Sequence, residues 1–480
     1  MMLAGELALA GVDVAIVERR ANQKLAGRRA GGFHARTIEV LDQRGIADRF
    51  LSQGKAMQIT GFNMVPLDMS DFPTRHPYGL ALTQNHIERI LAEWVDGLAV
   101  KVYRECEVVG FTQDEAGVEV SLAGWPPLRA QYLVGCDGGR SLIRKTAGIE
   151  FPGWDPTTSW MIAEVDLTEP KLGWHQDELG LTHAIGRVEE SGQAGVVLME
   201  RLVGAPGATG EPTLRDLSEA LIVAYGTDFG ARNPTWISRF TDMARQAAAY
   251  RDRRVLLAGD AAHVHAPMGG QGLNTGVQDA VNLGWKLAQV VKGISPPRLL
   301  DTYHSERHPV AARVLRTTLA QAALRRPDDR TKVLSDKISE WLRLEGMRKT
   351  IAGEMSGLDI RYDLGEGHPL LGRRMPDLDV VMNGGPIRIF SLLHKARSVL
   401  MNFGEAGAVN VDGGPWAERV QLVDVKYDGI WELPVLGVIG APSAVLIRPD
   451  GYVAWVGESG QAEQGQAGLT EALTEWFGTP

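Results

Sequence analysis

The sequence predicts an α/β protein. Helices pack on a parallel sheet, an antiparallel sheet is inserted into that layer, and a small α/β domain follows at the C-terminal end. Three observations carry this expectation. A helix, a tight glycine and an apolar strand ending in an acid open the chain. A buried-type strand at 254–257 runs into a Gly-Asp pair and a glycine-rich turn before a long helix. Residues 151–250 change to period-two alternation between Pro/Gly-rich turns.

Residues 1–10 read as a helix, because Leu3, Leu7 and Ala10 fall at helical spacing and Gly11 can close it. Val12–Val17 is a short apolar strand ending in Glu18, with Arg19 beside it. This is the second half of a βαβ dinucleotide unit, in which the terminal acid accepts hydrogen bonds from a ribose. Taken alone it also fits any α/β crossover whose strand ends in a solvated glutamate. The first half of such a unit, a strand and a glycine-rich loop of roughly 15 residues, is apparently missing. No G-x-G-x-x-G precedes the helix.

Arg28–Arg36 is a basic, glycine-containing loop that feeds a helix at 37–43. Its guanidinium and amide groups suit a phosphate or an anionic ring edge, and they equally suit solvent. The strand 132–137 ends in Asp137-Gly138-Gly139-Arg140-Ser141 before a basic helix at 142–147, so backbone amides are presented where a ligand could dock. The strongest local signal is RVLLAGDAAH, then Pro267-Met268-Gly269-Gly270-Gln271-Gly272-Leu273-Asn274. A strand delivers Asp260 at its C-terminal edge, where α/β ligands bind. The turn then opens a helix over 273–291 whose N-terminus stabilises an anion. His263 and His265 sit two residues apart with no carboxylate or cysteine set to complete a metal site, so no metal is expected. His304 and His308 read as surface or core residues.

Strands are expected at 159–167 and 195–202 within the insertion, and helices at 303–319 and 332–347. Further strands are expected at 396–402, 421–425, 444–447 and 452–456, with Pro449-Asp450-Gly451 as a hairpin turn. A chain of 480 residues holds about two to four domains. Its 44% apolar and 23% charged content excludes wholesale disorder. A net charge of −9 is a poor footprint for nucleic acid. Cys106 and Cys136 build no disulfide framework, which fits a reducing compartment. No run reaches the ~18 apolar residues of a membrane span. The N-terminal stretch lacks a basic region and carries Glu6 and Asp13, unlike a signal peptide. The expected location is cytoplasmic.

The segments VAIVERR, RRAGGFHARTIEVLDQRG, the glutamine of LTQNHIERIL, YLVGCDGGRSLIRK, RVLLAGDAAHVHAPMGGQGLNTGVQDAVNLGWKLA and DTYHSERHPVA follow one another along the chain. In that order they resemble the FAD-dependent aromatic hydroxylases, flavoprotein monooxygenases of the para-hydroxybenzoate hydroxylase type. The C-terminal SGLDIRYDLGEGHPLLGRRMPDL and VLIRPDGYVAWVG are similar to the branch that holds polyketide hydroxylases and rifampicin monooxygenase. The resemblance implies a Rossmann-like FAD-binding domain at 1–150 and 251–375, lacking its first strand and loop. It implies a β-sheet substrate domain at 151–250 with part of 60–85. It also implies a thioredoxin-like domain at 380–480 without redox cysteines, and no cysteine follows 136.

Matching positions carry implied roles. Glu18 would hold the adenosine ribose, with Arg19 beside it, and Val108 would meet adenine through its backbone. Arg29 and Gln84 would contact the ribityl–diphosphate region. Asp137 and Gly138 match a motif tied to FAD and the nicotinamide donor, and Asp260 would bind FAD hydroxyls. Pro267, Gly270, Gly272, Leu273 and Asn274 would lie against the isoalloxazine, the last two with amides facing its N1 and O2 edge. The implied reaction takes electrons from NADPH or NADH, forms a flavin C4a-hydroperoxide with O2 and hydroxylates a bulky phenolic substrate. That substrate would sit between the inserted sheet and the flavin, and the sequence nominates no catalytic side chain. An antibiotic-inactivating oxygenase acting on a rifamycin or tetracycline is one alternative. A flavin-poor remnant or binding module, suggested by the absent loop, is another. The expected partners are an aromatic small molecule and O2, in a monomer or homodimer.

Overall fold

The computed structural model describes all residues except 24–30, 179, 189–190, 202–210, 327, 406–408, 410–415 and 459–461. Helix α1 (Met2–Leu9) is buried over most of its length rather than along one stripe. Small residues make that possible. A Cβ at Gly5 would lie 2.2 Å from the Trp94 ring, and one at Gly284 would lie 2.5 Å from Glu6 Cβ. Gly11, at φ +70°, reverses the chain into strand β1 (Ala15–Glu18). A two-residue strand β2 (Gly32–Phe33) leads into helix α2 (Ala35–Asp42). Strands β3 (Lys55–Met57), β4 (Ile59–Phe62), β5 (Val65–Asp68) and β6 (Gly79–Ala81) follow, with β2 and β3 both paired to β6. After helix α3 (Gln84–Gly97), strand β7 (Lys101–Arg104) lies parallel to β1, placing Arg104 opposite Glu18. An antiparallel meander, β8 (Val108–Gln113), β9 (Val118–Leu122) and β10 (Trp125–Ala130), precedes β11 (Leu133–Gly135) and helix α4 (Leu142–Thr146).

The insertion is a five-stranded antiparallel sheet. Its strands are β12 (Thr158–Asp166), β13 (Gly173–Gln176), β14 (Thr182–Arg187), β15 (Ala194–Arg201) and β16 (Arg232–Thr241), in the order β13-β14-β15-β12-β16. Alternation decides its faces. Met161, Ala163, Val165, Val196 and Leu198 pack on helix α5 (Leu214–Tyr225), which is capped by a Thr213/Asp216 box and ended by Gly226. Trp160 and Met199 point the other way, Trp160 stacked on Phe240 at 5.3 Å, against Ala266 and Met268. The insertion therefore backs directly onto the glycine-rich turn.

Strand β17 (Val255–Leu257), wholly buried, returns the chain to the first layer parallel to β11. Helices α6 (Gln271–Val291) and α7 (Asp301–Ala323) cross it. The single helix expected at 332–347 is instead two, α8 (Asp329–Trp341) and α9 (Glu345–Ser356). No described side chain of α8 is buried, whereas Leu342 is drawn into a cluster with Leu67, Phe72 and Ala352, and the chain bends there to let it in.

Beyond 380, strands β18 (Ser398–Asn402), β19 (Val420–Asp424), β20 (Ala444–Ile447) and β21 (Val453–Gly457) form a sheet ordered β19-β18-β20-β21, and helix α10 (Ala462–Phe477) covers it. Its β20–β21 turn is fastened to the first layer by buried charge. Arg448 donates to Glu306 at 2.6 and 2.8 Å and to Asp450 at 2.6 Å, and Lys286 donates to Glu306 at 2.8 Å. Arg36 and Arg44 bond the carbonyls of Asp450 and Pro449. Burial alone would raise the Glu306 pKa, but Arg448 and Lys286 hold it down at about 2. Burial, helped by Arg448, pushes Lys286 down to about 8. Among the described residues, no helix is long and apolar enough to cross a membrane.

Candidate active site

Strands β11 and β17 run parallel with Gly135 opposite Leu257, so Asp137 and Asp260 emerge at the same sheet edge. Their carboxylates are used differently. Asp137 accepts from Ser141 Oγ and from the Ile143 amide at 3.1 Å, which starts α4 and leaves Gly138 at φ +80° in the turn between them. Asp260 accepts no hydrogen bond from a described residue and is exposed. Arg144, read from sequence only as part of a basic helix, ties the two loops together through the Ala261 and Gly139 carbonyls, at 2.8 and 2.9 Å.

Beneath Asp260 is a buried support that the sequence did not reveal. Asp279 on α6 accepts from the Gly259 amide at 3.2 Å, from His263 Nε2 at 2.7 Å and from Arg307 Nε at 2.8 Å. Burial opposes its ionisation, but Arg307 and His263 bring its pKa to about 2. His263 is thus a structural donor to a carboxylate, and no group of metal-ligating side chains occurs among the described residues.

The turn after Pro267 winds tightly through Gly269 and Gly270, at φ +67° and +65°. Helix α6 starts at Gln271, two residues before the expected start. Helix geometry leaves the amides of Gln271, Gly272 and Leu273 without intrahelical acceptors. Asn274 contributes its side chain: Oδ1 accepts from the His34 amide at 2.8 Å, and Nδ2 donates to the Gly270 carbonyl at 2.9 Å. His34 Nε2 bonds the Gly269 carbonyl at 2.7 Å, and burial pushes its pKa down against that carbonyl's pull. Gly32 approaches β6 so closely that a Cβ would stand 1.8 Å from the Leu80 oxygen. Arg29 lies outside the described residues.

At the far end of the site, Glu18 accepts from the Arg20 amide at 2.9 Å and its guanidinium at 3.4 Å. Partial burial works against its charge, yet Arg20 and Arg104 hold its pKa below the usual carboxylate range. Arg20, rather than the exposed Arg19, links Glu18 to Glu88, which also accepts from Gln84 Nε2 at 2.8 Å. Val108 starts β8 just beyond Cys106, whose amide bonds the Glu18 carbonyl.

These features fit FAD. The Asp260 carboxylate, the N-terminal end of α6 and a buried, partnerless His265 Nε2 converge beside Gly272, where a Cβ would lie 3.8 Å from both Asp260 Oδ1 and His265 Nε2. A cavity of about 520 Å³ opens along Gly31–Ala35, Gly269 and Gly270, and β3–β6 close it with Met57, Met64, Met69 and Leu80.

The family model described as FAD binding domain matches residues 1–318, and the one described as aromatic-ring hydroxylase, C-terminal, matches 368–480. The chain belongs to the FAD-dependent aromatic-ring hydroxylases and is a flavoprotein monooxygenase with FAD as its cofactor. It is 41% identical to the 12-dehydrotetracycline 5-monooxygenase/anhydrotetracycline 6-monooxygenase of Streptomyces rimosus, over 100% of this chain and 97% of that protein. It is 40% identical to a rifampicin monooxygenase of Streptomyces venezuelae, over 100% and 96%. The solved OxyS anhydrotetracycline hydroxylase from Streptomyces rimosus superposes with a TM-score of 0.90 at 40% identity, covering 100% of this chain and 97% of that one. The alternative of a flavin-poor remnant finds no support in these matches.

Proposed function

We propose that the chain hydroxylates a bulky polycyclic aromatic of the phenolic polyketide class, with NADPH or NADH as electron donor and O2 as oxygen source. The observation that carries this reading is the cavity of about 520 Å³ against the Gly269–Gly270 turn, lined chiefly by methionine and aliphatic side chains and large enough for a fused ring system. It lies over β3–β6, and no described residue of 151–250 lines it, so this reading gives the 60–85 part of the substrate region the closer contact.

FAD, when bound, supplies the electron-transfer and oxygen-activating chemistry. The chain's own residues bind and orient. Asp260 and Glu18 would accept hydrogen bonds from cofactor hydroxyls, with Arg19, Gln84 and Val108 along the same edge. Asp137 and Gly138 would present the backbone of their turn. Because α6 starts at Gln271, the amides of Gly272 and Leu273, and not that of Asn274 as expected, would stabilise negative charge at the ring edge, with Pro267, Gly270 and Asn274 shaping the turn. The apolar walls exclude water. Residues 1–150 and 251–375 form the Rossmann-like unit in this reading. The strand order β19-β18-β20-β21, one parallel pair followed by two antiparallel ones, supports a thioredoxin-like domain at 380–480. Two cysteines and no disulfide suit a reducing cytoplasm.

A second reading, inactivation of an ansamycin or tetracycline antibiotic, is favoured by the rifampicin monooxygenase at 40% identity. NADPH oxidation by the flavin-loaded enzyme, followed with anhydrotetracycline, rifampicin and a hydroxyanthraquinone, separates the two. The expected result is stimulation by at least one compound with one oxygen atom added by mass spectrometry. No stimulation by any of them defeats both substrate classes.

A further inference from the structure

Two polar side chains border the cavity with bonds unmade. Gln321, on α7, is 3% exposed. Its Oε1 accepts from the Asn63 amide at 3.3 Å, whereas its Nε2 is buried with no partner. That nitrogen would lie 3.7 Å from a Cβ at Gly269, so it sits at the flavin-side turn. Arg325 lies one helical turn further on, about 6 Å along the axis, just past the end of α7. It lines the same cavity, and its Nη2 rests 3.3 Å from Met64 Sδ. Its Nε has no partner, and no carboxylate pairs with it among the described residues. Burial pushes its pKa down.

An arginine at the end of a helix ordinarily bonds the last carbonyls or answers the helix dipole. The half-buried Arg325 guanidinium bonds no carbonyl among the described residues, so capping does not account for its position. Nearby lining residues, Met57, Met64, Val65 and Leu80, offer no anion. A buried amide N–H and a buried guanidinium Nε, both without partners beside an apolar cavity, are costly unless a ligand completes them.

We propose that Gln321 and Arg325 form the polar subsite that selects the substrate: Arg325 pairs with an ionised phenol or enolate oxygen, and Gln321 donates to a neighbouring carbonyl. This rests on the polycyclic-phenol reading above. The matching substrate class is a fused ring system carrying a hydroxyl and a keto oxygen on one edge, with the remaining rings against the methionines.

The test uses the flavin-loaded enzyme and two probes, 1,8-dihydroxyanthraquinone and its dimethyl ether, with affinity read by tryptophan fluorescence quenching. Wild type is expected to bind the dihydroxy compound at least about tenfold more tightly than the ether, the factor that one charge-assisted hydrogen bond supplies. Arg325→Met should abolish that preference while leaving ether affinity and flavin occupancy unchanged, Arg325→Lys should restore part of it, and Gln321→Leu should reduce it. Equal binding of the two probes by wild type, or a preference retained in Arg325→Met, overturns the assignment. Because the readout is binding, it stands apart from the turnover assay: failure of every compound to stimulate NADPH oxidation strikes the proposed function, not this ratio.

Discussion

Replacing Asp260 by alanine should separate cofactor affinity from protein stability. The carboxylate is exposed and accepts no hydrogen bond from a described residue, so its removal leaves no internal donor unpaired. Apoprotein stability is therefore expected to move by less than ~0.5 kcal/mol. In the cofactor-loaded protein, the same carboxylate would accept about two hydrogen bonds from flavin-nucleotide hydroxyls. At ~1.5–3 kcal/mol for each bond to a charged acceptor, the loss is ~3–6 kcal/mol, or roughly 10²–10⁴ in Kd. The variant should purify without the yellow absorbance near ~450 nm that bound flavin carries. Titration of the apoprotein with FAD, followed by quenching of flavin fluorescence, gives the ratio of dissociation constants. Differential scanning fluorimetry of the two apoproteins gives the stability term. A Kd within about threefold of wild type, where a single charge-assisted bond would give more, refutes the role of Asp260. A fall of many degrees in apoprotein Tm would show instead that its work is structural.

Adjacent glycines offer a paired test: Gly32→Ala drives a Cβ to 1.8 Å from a backbone oxygen, whereas Gly31 has nothing within 4 Å of its Cβ position. Gly32→Ala should cost ~1–3 kcal/mol or more and lower flavin occupancy, with Gly31→Ala near wild type; equal behaviour in urea melts would contradict the close approach. Asp279 titrates at about 2 in the folded chain against 3.8 when free. Since its folded pKa is depressed, the stability it contributes is full above about pH 4 and lost as pH falls toward 2, some 2–3 kcal/mol. Asp279→Asn should flatten Tm against pH in that window, and an unchanged slope would count against the network. Arg448→Met strands the Glu306 and Asp450 carboxylates in the interior, and a loss of ~3–5 kcal/mol in urea denaturation is expected. Wild-type stability in that variant would mean the cluster is not desolvated.

Elements whose pattern is local were readable from sequence. Strands expected at 159–167 and 195–202 are Thr158–Asp166 and Ala194–Arg201, and Ala444–Ile447 falls where period and turn residues place it. The Gly-Asp loop was equally plain and the start of α6 was placed to within two residues, because glycines at positive φ and an acid at a strand end serve a backbone geometry a few residues long. What escaped notice depends on partners far apart in the chain. Arg448 meets Glu306 across 142 positions, and Asp279 meets Gly259 across 20. Charged residues of this kind look like a solvated face until tertiary packing encloses them. The bend at Leu342 escaped for a related reason: helical periodicity runs through it, and only the cluster with Leu67 and Phe72 calls the side chain inward. Arg20 lies two residues beyond Glu18 and so shares its side of an extended chain, a period-two signal that points to it rather than to the adjacent Arg19.

The β20–β21 turn makes the C-terminal sheet a poor candidate for modular exchange. Its arginine and aspartate complete charges that belong to α6 and α7, while α2, which begins at the residue after His34, reaches it through Arg36. A chimaera that takes this sheet from a relative while keeping its own α6 and α7 must match Lys286, Glu306, Arg448 and Asp450 as one unit. A crossover near residue 378 would cut through that unit, so a productive one carries α2, α6, α7 and the turn together.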